Sequence, residues 1–226
     1  MKKHLNRSEF DFHASSYNEI IQKASFFSSH SYFARYKVNL IKKISRGNFH
    51  NILDFGCGIG RNLQFLSETF KNSNIYGFDP SVKSIRVAKK NKLKCFLFSD
   101  WKKKPSVKFD LILIANVMHH IDPSEHLMYL RICLKSLSKD GEIYIFEHNP
   151  RNLFTKHVFE NCVLDKDASM LDMKYSLGLI KKSKSLIHSY GYSLFIPFPY
   201  PGSTVFEYFF RRVPLGSQYF IRFGKA

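Results

Sequence analysis

Hydrophobic positions change their period along this chain, and the changes mark its elements. Between His13 and Ser45 they recur at helical spacing: Tyr17, Ile20 and Ile21, then Val38, Leu40, Ile41 and Ile44, until Arg46-Gly47. Short apolar runs then alternate with amphipathic stretches. Residues 51–55 predict a strand that runs into glycines, followed by a helix through Leu63, Phe65, Leu66 and Phe70. Residues 74–78 predict a second strand, and Ser81 is the expected cap of a helix carrying Val82, Ile85, Val87 and Ala88. Further strands are expected over 94–98, 109–115 and 142–146, with a helix from Asp122 to Asp140-Gly141 before the last of these. The run 109–115 is apolar almost throughout, as a parallel strand buried on both faces requires.

After His148 the alternation loosens. Residues 151–173 read as an irregular or helical insertion, 175–190 as a helix closed by Gly191, 192–196 as a strand and 218–223 as a last one. The predicted fold class is α/β: a Rossmann-like, seven-stranded, mostly parallel sheet with helices on both faces, its last strand antiparallel, and an N-terminal helical cap.

Composition adds a question about partners. Lys and Arg number 35 against 18 Asp and Glu, a formal net charge of +17. Such a surplus suits nucleic acid or an anionic surface. The lysines are scattered, however, at Lys2-Lys3, Lys42-Lys43, Lys89-Lys90, Lys102 to Lys104 and Lys181-Lys182. No long basic arm results, so a solvated surface is expected and nucleic acid is allowed but not favoured. The longest apolar stretch, Leu111 to Met118, is far short of a membrane span, and the N-terminus lacks the apolar core of a secretory signal. Cys57, Cys95, Cys133 and Cys162 have neither paired nor zinc-ligand spacing. A cytoplasmic protein with free thiols and no metal site is expected, as a monomer or homodimer.

Candidate chemistry gathers at the strand ends. Asp54-Phe-Gly56-Cys-Gly58-Ile-Gly60 lies between a strand and a helix, where glycines let the backbone approach a ligand and the helix offers free N–H groups. The spacing is GxGxG after an acid, not the GxGxxG of dinucleotide sites. An acid at that point suits a ligand carrying a cationic group. The second strand ends in Asp79, placed for ribose hydroxyls, and the third in Asp100-Trp101, a carboxylate beside a flat ring. Cys57 is not expected to act as a nucleophile, since nothing nearby would lower its pKa.

Residues 50–147 resemble the core of the class I S-adenosylmethionine-dependent methyltransferases. The resemblance rests on D-x-G-x-G-x-G at 54–60, G-F-D-P-S at 77–81, S-D at 99–100 and F-D-L-I…N-V-M-H-H-I at 109–121. Upstream, Phe10-Asp-Phe-His-Ala14-Ser-Ser-Tyr17 is similar to the F-D-x-x-A-x-x-Y segment found before the cofactor domain of many small-molecule methyltransferases. The resemblance implies S-adenosylmethionine as cofactor. Gly56, Cys57, Gly58 and Gly60 would wall its methionine portion, and Asp54 would orient its amino group. Asp79, followed by Pro80, would hold the ribose, Asp100 and Trp101 the adenine, and Asn116 would line the methyl end. Lys37 or Arg35 would reach the carboxylate. The implied domain plan is a helical cap over 1–47, a cofactor-binding core over 48–148, and a substrate-side insertion with the final helix and strands over 149–226.

Methyl transfer to a hydroxyl is helped by a general base, and His is the usual one near neutral pH. His120 after the fourth strand, His148 after the fifth, and Tyr17 from the cap are the catalytic candidates, with His119 beside them. The alternative for His119-His120 is a helix lead-in with one buried, hydrogen-bonded ring. Glu147-His-Asn-Pro150, Asp165-Lys-Asp167 and Pro214 to Tyr219 look like a subgroup assigned to sugar, polysaccharide or other small-molecule modification. Segments 149–175 and 198–214 would then wall an acceptor pocket, with Asp165 and Asp167 either facing a polar substrate or solvated. Phe206 to Phe210 reads as core or a dimer contact. The expected function is methylation of a small molecule, a hydroxyl being favoured. An RNA methyltransferase or a non-catalytic binding module of the same fold are the alternatives. Against the first, Ala115-Asn-Val-Met118 lacks the stacking ring of base-nitrogen methylation.

Overall fold

The computed structural model describes Asp11 and residues 30–45, 47–196, 198 and 203–226. Tyr17 and most of the cap lie outside these residues. Seven strands form one sheet: β1 (Asn51–Phe55), β2 (Asn74–Phe78), β3 (Cys95–Phe98), β4 (Phe109–Ala115), β5 (Leu137–His148), β6 (Ser185–Ser193) and β7 (Gln218–Lys225). Their order is β3-β2-β1-β4-β5-β7-β6, and only β7 runs against its neighbours. The helices are α1 (His30–Ile44), α2 (Arg61–Thr69), α3 (Val82–Lys90), α4 (His126–Ser136), α5 (Leu153–Glu160), α6 (Met173–Lys182) and α7 (Ser203–Phe210).

The alternation of side chains along each strand divides the core between the two faces of the sheet. Leu111 and Leu113 of β4 join Tyr144, Phe146 and Phe220 under Val38 and Ile41 of α1, Leu63 and Leu66 of α2 and Ile85 of α3. Ile112 and Ile114 join Ile143, Ile145, Tyr219 and Ile221 against Leu130 and Cys133 of α4 and Ile180 of α6. The apolar run of β4 is therefore covered on both sides, as its sequence required. At β1 and β4 the strand order reverses, which opens a crevice beyond their C-terminal ends.

Three elements differ from the sequence reading. The helix expected over 175–190 ends at Lys182, and β6 occupies 185–193. Lys184 adopts a left-handed φ of 59° between them, and Leu194 another of 60° after β6. Antiparallel pairing with β7 along the length of β6 outweighs the helical spacing of the apolar residues. Strand β5 starts at Leu137, five residues before the expected start, where Leu137 pairs with Phe109. The expected loop at 198–214 contains α7, on which Tyr208 and Phe209 are exposed (58% and 73%) and not core. No helix among the described residues is long and apolar enough to cross a membrane.

Candidate functional site

The loop between β1 and α2 is shaped by β2. The amides of Gly56 and Cys57 both donate to the Phe78 carbonyl, at 2.7 and 2.9 Å, and the Gly58 amide donates to Asp79 Oδ2 at 2.8 Å. Gly56, Gly58 and Gly60 have φ of 78°, 52° and 90°, a region that side chains resist. A Cβ on Gly56 would lie 2.4 Å from Val117, whereas one on Gly58 would meet nothing within 4 Å. The chain therefore leaves room above Gly58. The Cys57 side chain is buried, and burial first, then Asp54 and Asp79, push its pKa well above that of an ordinary thiol.

Asp54 sits at the root of this loop with no exposure at all. Its Oδ1 accepts a 3.4 Å bond from Asn62 of α2, while its buried Oδ2 has no hydrogen-bond partner. Burial raises its pKa to about 7, against the pull of Asn62 and Lys37. Lys37 of α1 is buried as well, and burial lowers its ammonium to about 8 although Asp54 and Glu147 lie within electrostatic reach. Arg35, the other candidate from this helix, is at the surface near Glu68 and over the Phe65 ring.

Asp79 directly follows β2 and is raised to about 6, mainly by burial. It accepts from the amides of Gly58 and Ser81, so it ties the glycine loop to the start of α3. Pro80 follows at the rim, partly exposed. Asp11 of the N-terminal segment bonds Ser81 Oγ at 2.6 Å and the Lys83 amide at 3.1 Å, a second cap on α3 that the sequence did not disclose. Asp100 follows β3 and caps a short 3₁₀ turn through the Lys102 amide. Trp101 stands edge-on to Phe55 and Phe78, with centroids 5.5 and 4.9 Å away, where β1 and β2 end.

On the other side of the crevice β4 is followed by Asn116, at a left-handed φ of 56°, with its Oδ1 accepting from Gln218 of β7. A 3₁₀ turn over Met118–His120 follows. Glu147, the penultimate residue of β5, organises it: Oε1 accepts from the amides of Val117 and Met118, and Oε2 takes His119 Nδ1 at 2.5 Å. Glu147 was quoted in the sequence only as part of a resemblance, without a role; its burial and three partners appear only when β4 and β5 are paired. Segment 161–166 brings in Asp165, with Oδ1 3.5 Å from the Nε2 atoms of both His119 and His120. The rings of His119 and His148 are 5.4 Å apart, both packed near Phe159 of α5.

Charge is divided unequally within this cluster. Burial opposes a charge on His119, but Glu147 and Asp165 overcome it and raise its pKa to about 10. Burial and the positive His119 hold His120 at about 3 and His148 at about 4, so both rings are neutral at pH 7. Asp165 stays ionised, lowered to about 2 by the histidines despite its burial. The structure thus brings His119, His120, His148 and Asp165 together beside the glycine loop and its acids. Asp167 is in the following turn, and Tyr17 lies outside the described residues.

A family model described as "Methyltransferase domain" matches residues 19–184. No curated protein is similar enough in sequence to match the chain. Among solved structures, the chain is similar to the plantazolicin methyltransferase BpumL in complex with a pentazolic desmethylPZN analog and S-adenosylhomocysteine, with a TM-score of 0.67, 18% identity, and 98% and 96% of the two chains covered. It is similar to a possible histamine N-methyltransferase from Thermotoga maritima, with a TM-score of 0.66, 16% identity, and 99% and 100% covered. It is also similar to the magnesium protoporphyrin IX methyltransferase of Synechocystis with bound S-adenosylmethionine, with a TM-score of 0.61, 11% identity, and 96% and 94% covered.

Proposed function

Because the chain belongs to the methyltransferase-domain family, we propose that it moves a methyl group from S-adenosylmethionine to a hydroxyl oxygen of a small molecule. A sugar, a polysaccharide unit or a secondary-metabolite precursor is the acceptor class that fits. When bound, the cofactor supplies a methyl group already activated on a sulfonium. The chain's part is then to hold both reactants in line and to keep water out.

The observation that carries the reading is the buried Oδ2 of Asp54, which has no hydrogen-bond partner. Buried acceptors are almost always satisfied, and an ammonium group is the complement this one calls for. Gly56, Cys57, Gly58 and Gly60 would wall the methionine portion, with the room above Gly58 kept open for it. Asp79 would hold the ribose hydroxyls, with Pro80 at its rim. Asp100 and Trp101 would flank the adenine, and Asn116 the methyl end. Lys37, a buried cation of α1, would meet the cofactor carboxylate.

The neutral imidazoles support a hydroxyl acceptor. As the oxygen gains a methyl group it becomes an oxonium, a far stronger acid than imidazolium. A base depressed to about 4 still accepts that proton and releases it readily to water. His148 is assigned this role and His120 stands beside it, whereas His119 already carries its proton.

Calorimetry with S-adenosylhomocysteine tests the donor site, and no binding up to about millimolar ligand would remove it. An assay with isotopically labelled methyl donor against hydroxyl and amine acceptors tests the rest, and transfer to amines alone would rule out the hydroxyl. On an accepted substrate, His148→Ala is expected to lower kcat by about 10²–10⁴ while leaving the KM for the donor in place.

A further inference from the structure

The cluster beyond β4 and β5 gathers three ligand-type side chains around one carboxylate oxygen. Asp165 Oδ1 is 3.5 Å from His119 Nε2 and 3.5 Å from His120 Nε2. Both distances are longer than the roughly 2.7–3.2 Å of a good N–H···O bond. They are close to the edge of a tetrahedron whose bonds are about 2.0–2.1 Å, as around zinc, since such an edge is about 3.3–3.4 Å. The three ligand atoms all lie within 4.8 Å of one another. We propose that His119, His120 and Asp165 form a binding site for a divalent transition-metal ion of the zinc type.

A second observation points the same way. Metal-binding imidazoles characteristically give their other ring N–H to a carboxylate, which fixes the ring and its tautomer. Glu147 does this for His119: its Oε2 is 2.5 Å from Nδ1, and its Oε1 is itself held by two backbone amides. That arrangement leaves Nε2, the atom facing Asp165, to give its lone pair once an ion has displaced the proton it carries in the ion-free protein. Two imidazoles and one carboxylate are the three-ligand set of a zinc centre with an open fourth position. The side chains of His120 and Asp165 are 15% and 13% exposed, against 2% and 1% for His119 and Glu147, so an ion has a way in from their side. The two histidines are adjacent in sequence, but Asp165 arrives from a different segment, and no ligand spacing could have announced the set.

Its role would rest on the hydroxyl-methylation reading. An ion there would take the acceptor oxygen at its open position and weaken its O–H bond. As an electron pair of that oxygen forms the bond to the methyl carbon, the methyl–sulfur bond would break with its pair left on sulfur, and the oxygen's proton would pass to His148.

The test uses the full chain, treated with chelator and dialysed against zinc chloride, with metal counted by mass spectrometry. About one zinc per chain is expected, retained through gel filtration. Asp165→Asn and His120→Gln are each expected to lose zinc affinity by at least about 10-fold while binding S-adenosylhomocysteine as the unaltered protein does. The cobalt-loaded protein should show visible ligand-field bands without the intense sulfur charge-transfer band of thiolate ligation. A chain that binds S-adenosylhomocysteine but takes up no zinc overturns the site, as does full zinc affinity in both variants. Donor binding is read separately, so failure of the metal site and failure of the methyltransferase reading give different results.

Discussion

Asp79 keeps its carboxylate between two backbone amides in a place that resists charge, and both facts set what a change there would do. Asp79→Ala is expected to weaken S-adenosylhomocysteine binding by about 1.5–3 kcal/mol, roughly 10- to 150-fold, the scale of hydrogen bonds to a charged group. Calorimetry on the folded variant checks this, and unchanged affinity would take Asp79 out of the ribose role. Asp54 makes a pH prediction. Its folded pKa is raised from 3.8 to about 7, so the ligand-free fold prefers it protonated and loses stability as pH rises towards 7. A cationic amino group requires the ionised form. Donor affinity should therefore rise as pH climbs from about 6 to about 8, with a proton released on binding below about pH 7. Calorimetry in buffers of different ionisation heat measures both, and an affinity flat across that window would contradict the placement of Asp54. Asp54→Asn should remove the rise centred near pH 7 along with much of the affinity, leaving the contributions of Asp79 near 6 and Lys37 near 8.

The glycine loop is the element proposed to cradle the donor, and its positions are not equivalent. Gly56 is closed in by Val117, but Gly58 faces open space at a left-handed φ. Gly58→Ala should thus cost only about 1–2 kcal/mol of stability, the strain of a side chain in that region. Its effect on donor affinity should be larger than that strain, because the methyl group occupies the ligand's room. Thermal unfolding with and without S-adenosylhomocysteine separates the two, and equal losses would argue against a cradle at Gly58. This loop and the five strands of the core were legible in the sequence because each is specified locally, by glycines, short apolar runs, and acids at strand ends. The boundary between α6 and β6 was not. Leu177, Ile180, Leu186 and Ile187 keep helical spacing across it, and the break comes from Lys184 and from pairing with β7. The role of Glu147 eluded the sequence for a related reason, and Lys37 was named there only as an alternative to Arg35, Asp165 only as facing a polar substrate or solvated. Their partners come from other elements, and only the fold shows that Glu147 and Lys37 are buried. Asp11 is similar: its segment suggested a cap over the site, but its bond to Ser81 is a tertiary fact.

Across the whole molecule the opposite end of the sheet is fastened by charge. Arg222 of β7 pairs with Glu142 of β5 and donates to the Ile44 carbonyl at the end of α1, while Tyr144 donates to Glu142. Arg222→Met leaves a buried carboxylate unpaired and should lower stability by about 3–5 kcal/mol, whereas replacing both members by apolar residues should recover most of that. Chemical denaturation of the single and double variants checks this, and additive losses would show that the two groups do not act as a pair. Arg222 stands in a strand whose position has a further consequence. Strand β7 lies between β5 and β6 although it follows both in the chain. During synthesis β5 and β6 therefore exist before anything can join them. Until residues 218–225 leave the ribosome, β5 presents a bare row of peptide groups along one edge, next to the cluster that ends in Glu147 and His148. That interval is when the chain is most open to mispairing with another copy. The sheet beyond β4 is thus finished out of chain order, its middle strand arriving after both of the strands it joins.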